Sequence, residues 1–176
     1  MELTDEDVAH HESGHWVIGA ANGFPMGFII LIPSSEGGFS GRTGYRDTFS
    51  ALTTDEIRRA AIRTCLAGEA ARGVRSLEDF SDGASGDIEL ARKIAGDIDD
   101  DGDVDEVLGV EFVRTVEEVK AHTADVQAVV GKLMATASPD GEYRSLTGIS
   151  AAKAMGWSPV RDDHDAILRF EPNLAV

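Results

Sequence analysis

The sequence predicts an α+β domain, mostly helical, with a small β-sheet next to a first helix that carries a metal-binding pattern. Three observations predict it. Long stretches repeat their apolar residues at helical spacing behind capping residues. Only two short runs have strand character. The chain has 176 residues, 42% of them apolar, which suits one core and a single domain over 1–176.

The elements follow in order. Thr4 with Asp7 reads as an N-cap with an acidic partner at the third helical position, opening a helix from Asp5 to Ala21 that Asn22-Gly23 stops. Gly27 to Ile32 is an apolar, β-branched run, hence a buried strand. Pro33 to Gly38 is turn material, and the polar, glycine-bearing stretch Phe39 to Arg46 suits a weaker strand at a sheet edge. Thr53 with Glu56 forms a second capping pattern before a helix from Thr54 to Gly73. Its apolar positions Ile57, Ala61, Cys65, Ala67 and Ala71 are mostly small, so another element packs closely on it. Ser76 to Ser85 is a loop, and a third helix runs from Gly86 to Ile98. After an acidic, irregular stretch from Asp97 to Glu106, a long helix is expected over Asp105 to Ala137. Its apolar positions are Val110, Val113, Val116, Val119, Val126, Val129, Val130 and Leu133. A turn at Ser138 to Gly141, a short helix from Gly148 to Met155 and a loosely structured tail complete the chain.

The net charge is −16, from 32 acidic and 16 basic residues, so the surface repels phosphate backbones and anionic lipid. Neither nucleic acid nor a membrane is expected as a partner. The one cysteine, Cys65, lies in an apolar helical run and reads as a buried small hydrophobe; no disulfide can form within the chain. The start is acidic (Glu2, Asp5, Glu6, Asp7), the opposite of a signal peptide's basic beginning. The longest apolar stretch, Trp16 to Pro33, is interrupted by Asn22, Gly23 and Pro25. A cytoplasmic location is expected.

His11-Glu12-Ser13-Gly14-His15 is an H-E-x-x-H pattern on the first helix. At about 3.6 residues per turn, His11 and His15 lie one above the other, so both imidazoles can bind one zinc ion. Glu12, one position on, reaches the water that such an ion activates and can take its proton. Gly14 inside the motif costs about 1 kcal/mol relative to alanine, which implies close approach of another element there. A catalytic site needs a third protein ligand. His10 points about 100° from His11, and His122 and His164 are isolated, so a carboxylate from a later helix is the better candidate.

The motif and the following Trp16-Val17-Ile18-Gly19 resemble the zinc motif of the FtsH-type peptidase domain. Cys65-Leu66-Ala67-Gly68-Glu69-Ala70-Ala71-Arg72 is similar to that family's Gly-Gly-Arg-Ala-Ala-Glu helix. Ser81 to Ala91 resembles its Gly-Ala-Ser-x-Asp-Leu segment. The resemblance covers about residues 5–137 and leaves 138–176 unassigned. It implies that Asp87 is the third zinc ligand and that the strand holding Gly41, Arg42, Thr43, Gly44 and Tyr45 aligns a peptide substrate by backbone pairing. Asp87 opens the third helix, where exposed N–H groups favour a carboxylate; helix capping is its simpler role. Tyr45 is a candidate second donor to the oxyanion.

Two departures qualify the resemblance. Glu69 and Arg72 stand in inverted order, and no phosphate-binding loop of an ATPase is present. The implied activity is therefore zinc-dependent endopeptidase cleavage of flexible or unfolded polypeptides without ATP-driven unfolding, with a separate delivery partner allowed and the oligomeric state open. The alternative is a non-catalytic peptide- or protein-binding module that keeps the peptidase fold, with or without zinc. A third reading starts from Asp97, Asp99, Asp101, Gly102, Asp103, Val104 and Asp105, which partly match a calcium loop but carry Leu108 where a bidentate glutamate belongs.

Overall fold

The computed structural model describes residues 4–34, 38–45, 52–98, 103–136 and 143–173. Helix α1 (Asp5–Ala21) starts at Thr4, whose hydroxyl accepts from Asp7 N–H while the Asp7 carboxylate accepts from Thr4 N–H. It ends as the sequence predicts: Gly23, at φ +84°, lets its own N–H reach Ala20 O and that of Phe24 reach Gly19 O. The chain then forms a hairpin of β1 (Met26–Pro33) and β2 (Phe39–Tyr45). Helix α2 (Asp55–Ala71) is capped by Thr54, whose hydroxyl accepts from Ile57 N–H, and not by Thr53. The residue three beyond Thr54 is Ile57, which has no side-chain acceptor to return the bond.

Two single 3₁₀ turns, Leu77–Asp79 and Asp82–Ala84, lead into α3 (Ser85–Gly96). The expected long helix is two: α4 (Val104–Ala121) and α5 (Thr123–Met134), interrupted at His122. There the Thr123 hydroxyl binds Val119 O and Lys120 O, and His122 Nδ1 sits 2.9 Å from the Asp125 carboxylate. These local bonds compete with the helical ladder. The inner face of α4 also differs from expectation. Val110 and Val113 are exposed, while Val107, Leu108, Glu111, Phe112, Thr115 and Val119 are buried. Glu111 is tolerated inside because Arg59, Arg63 and Arg114 surround its carboxylate at 3.2, 2.8 and 3.0 Å.

The tail is not loose. β3 (Arg144–Thr147) pairs antiparallel with β1, helix α6 (Gly148–Ala154) follows, and β4 (Trp157–Arg161) and β5 (Ile167–Pro172) form a hairpin. Asp165 adopts φ +65° in its turn, and Asp162 Oδ1 accepts from His164 N–H and Ala166 N–H. Residues 99–102 of the acidic loop, the Ser138–Gly141 turn and Arg46 lie outside the described residues.

α1 is the axis of the packing and is buried on all sides from Glu12 to Ala20. One core lies between α1, the sheet, α5, α6 and the β4–β5 hairpin, where Trp16 meets Phe170 at 5.3 Å between ring centroids. A second core lies between α1, α2, α3 and α4, around Ile18, Ile62, Leu66 and Leu108. Cys65 is buried there, as expected. The fold is α+β and mostly helical, with sheet order β2-β1-β3 and β2 at an edge. Among the described residues no helix is long and apolar enough to cross a membrane.

Candidate metal centre

The motif helix and α2 touch through their smallest residues. A Cβ on Gly14 would come 2.5 Å from Ala67 O and 2.6 Å from Ala71 Cβ, so Gly14 exists to admit α2. At the next residue after Ala67, a Cβ on Gly68 would meet His15 Nε2 at 2.5 Å and His11 Cε1 at 2.6 Å. Gly68 thus clears the space in which the two imidazoles stand.

The imidazoles point the same way. His15 Nδ1 lies 2.7 Å from Thr64 O, which holds a proton on that nitrogen and turns Nε2 toward His11 and Asp87. His11 Nδ1 faces Glu69 Oε1 at 3.4 Å, long for a hydrogen bond but close for an ionic contact. The two Nε2 atoms are 3.0 Å apart, and Asp87 Oδ2 is 3.1 Å from one and 3.2 Å from the other. Among the described residues, His11, His15 and Asp87 form the one group able to hold a metal ion. Asp87 sits in the first turn of α3 but does not serve as its N-cap: that position is Ala84, without a side-chain cap, and Asp87 turns Oδ2 to the imidazoles.

The donor set fits a cation. Tetrahedral zinc at about 2.0–2.1 Å from its ligands implies ligand–ligand edges of about 3.3 Å, close to the three edges seen here. Without a cation, protons must separate these acceptors. Burial opposes charge on His11, but Asp87 and Glu69 at its two nitrogens raise its pKa to about 9. Burial likewise opposes charge on His15, and Asp87 overcomes it. Burial opposes ionisation of Asp87, and the His15 and His11 rings hold its carboxyl well below the usual range.

β2 crosses this site. A Cβ on Gly41 would come 2.3 Å from Glu12 Cγ and 2.5 Å from Glu12 Oε1, so the strand backbone lies directly against that carboxylate. Thr43 Oγ1 sits 2.7 Å from Glu12 Oε2 and 2.9 Å from Glu12 O, and its one proton is shared between them. Ser34 N–H donates to Gly38 O, so the alternating antiparallel pattern turns the backbone groups of Ser40 and Arg42 toward β1. Those of Phe39, Gly41 and Thr43 turn to the free edge. A cleft of about 410 Å³ runs beside them, lined among others by Val8, His11, Glu12, Phe39, Gly41 and Arg72.

No family model matches this chain, and no curated protein matches it.

The other residues singled out by sequence fall elsewhere. Arg42 is exposed, and Gly44 is covered by the Phe28 ring. Tyr45 pairs with Met26 through the backbone, and its side chain lies outside the described part. His10 Nδ1 is 2.9 Å from Glu6 O on its own helix, and His164 is exposed. Sequence reasoning missed the Thr64 carbonyl, the clearance at Gly68 and the joint contact of Glu69 with His11, Arg72 and Ser81. The small-residue run Ala67-Gly68 was the available signal, since only such residues let two imidazoles lie against a helix.

Proposed function

We propose that the chain is a zinc-dependent metalloendopeptidase of FtsH-like type that cleaves flexible or unfolded polypeptides in the cytoplasm. The supporting observation is the convergence of two imidazole Nε2 atoms and a carboxylate oxygen within 3.2 Å of one another, with Glu12 on the same helix and an edge strand across it. His11, His15 and Asp87 would hold the ion. Zinc bound there would supply Lewis acidity, lowering the pKa of an attacking water to about 7 and polarising the scissile carbonyl.

The chain's own residues do the rest. Glu12 is 6% exposed and fixed by Thr43, so its carboxylate waits in one orientation to accept a proton and return it to the leaving amine. The outward backbone groups of Phe39, Gly41 and Thr43 offer an extended peptide the pairing of one more strand. Pairing through the main chain requires an unfolded segment and reads little of its sequence, which fits a substrate of flexible polypeptide. A partner that delivers such chains fits the same reading.

The test is elemental analysis of the purified protein followed by cleavage of an unstructured protein by wild type and Glu12→Gln. We expect near-stoichiometric zinc in both and a fall in cleavage of about 10²–10⁴-fold in the variant. Zinc without cleavage in the wild type would instead support a peptide-binding module that keeps the site. Iron in place of zinc would redirect the chemistry, since two histidines and one carboxylate also suit non-haem iron.

A further inference from the structure

Glu69 is 1% exposed and stands on α2 between the two separate parts of the metal centre. Its Oε1 accepts from Arg72 Nη1 at 2.6 Å and from Ser81 Oγ at 2.9 Å, and it faces His11 Nδ1 at 3.4 Å. Arg72 Nη1 also reaches Ser81 Oγ at 3.2 Å. Ser81 O accepts from Ala84 N–H in the turn that opens α3, the helix that carries Asp87. One buried oxygen thus contacts the ring of a histidine on α1 and the segment that delivers the carboxylate from α3.

We infer that Glu69 is the positioning residue of the metal centre: it fixes the His11 ring with Nδ1 protonated and anchors the Ser81 turn that presents Asp87. The inference rests on the metal-site reading above. Glu69 is not itself a ligand in this arrangement, because it lies against Nδ1 while His15 and Asp87 meet His11 at Nε2. A carboxylate behind a ligating imidazole orients the ring and raises its donor strength. The inverted Glu69/Arg72 pair then has a physical use. An arginine at 69 would press a cation against the protonated Nδ1 of His11, whereas Glu69 faces it with a negative charge that Arg72 balances. His15 needs no such acid, since Thr64 O does the same work at 2.7 Å.

The experiment is titration of the metal-free protein with cobalt(II) and zinc(II), using the cobalt visible spectrum and competition with a chromophoric chelator. Wild type, Glu69→Gln and Ser81→Ala are compared, each checked for folding by far-UV circular dichroism. We expect Glu69→Gln to lose about 10–100-fold in affinity with an altered cobalt spectrum, and Ser81→Ala to lose less. Equal affinity of folded Glu69→Gln and wild type overturns the inference while leaving the metal site standing. Wild type that takes up neither metal overturns both. If Glu69→Gln does not fold, nitrogen-15 spectra of the zinc-loaded wild type decide. A His11 ring protonated at Nδ1 and bound through Nε2 supports the inference, and the reverse tautomer overturns it.

Discussion

Gly41 has no side chain, and the reason is Glu12. Any Cβ at position 41 would overlap the Glu12 carboxylate, so Gly41→Ala should push the base out of place without touching a metal donor. A displacement of about 1 Å at a reacting group costs about 10²-fold in rate. On the proposed function, Gly41→Ala is therefore expected to bind zinc as the wild type does and to lose about 100-fold in peptide cleavage; a variant of normal activity would mean that Glu12 needs no fixed position. The acid–base behaviour of His11 gives a second prediction. Its pKa in the metal-free fold is raised from 6.5 to about 9 by Asp87 and Glu69, against the cost of burial. The protonated ring thus stabilises the metal-free fold fully below about pH 6.5, and this contribution disappears as pH rises through 9. Melting of chelator-treated protein should show stability falling over that interval, and zinc uptake should release protons and tighten as pH rises. A metal-free melting temperature that climbs from pH 6.5 to 9 would contradict it. Of the residues at the site, His11, Glu12 and His15 were legible from spacing alone, because a four-residue repeat on a helix fixes a shared face. Asp87 was legible only through resemblance, since it is one of many acids in an acidic chain. The Thr64 carbonyl was not legible at all: any helical residue has one, and only packing decides which of them meets a histidine.

At the level of elements, caps and punctuation carried most of the information. Thr4 with Asp7 and Asn22-Gly23 bracket α1 because each satisfies a backbone group that the helix leaves open. Adjacent threonines defeated the same logic at α2, where Thr54 and not Thr53 takes the role. The α4 face departs from the expected one for a related reason: its inner stripe includes Glu111 and Thr115, and hydrophobic spacing cannot anticipate a carboxylate made welcome by two arginines of α2 and one of its own helix. Arg59 and Arg63 of α2 and Arg114 of α4 bind Glu111, while Arg63 also donates to Asn22 Oδ1 at the end of α1 at 2.8 Å. This cluster joins three helices around a side chain with no solvent exposure. Replacing Glu111 by Ala removes the buried acceptor these three arginines share and leaves Arg63 its pair with Glu118 at 2.8 Å and its bond to Asn22; breaking one side of a buried ion pair costs about 3–5 kcal/mol. Urea unfolding of Glu111→Ala should show a destabilisation of that size; a loss under 1 kcal/mol would mean the arginines find other partners.

For the whole molecule, the sequence conveyed the class and the order of the first elements but not the role of the last thirty or so residues. Short strands such as Arg144–Thr147 carry almost no periodic signal, and their pairing with β1 joins segments more than a hundred positions apart. The β4–β5 hairpin was hidden in the same way, although Trp157, Ile167 and Phe170 are all buried against the α1 core. Truncating Phe170 to Ala should therefore cost about 3–5 kcal/mol, read by denaturation followed through the fluorescence of Trp16 and Trp157. A shift below 1 kcal/mol would show the hairpin to be an ornament on the core. The placement of β3 also has a temporal side. His11, Glu12, His15 and Asp87 all leave the ribosome before Arg144 does. Until then the β1–β2 hairpin has only α1 to pack against, and β3 completes the sheet when it arrives. A nascent copy therefore carries all four residues of the candidate metal centre before the strand that completes the sheet beside them exists.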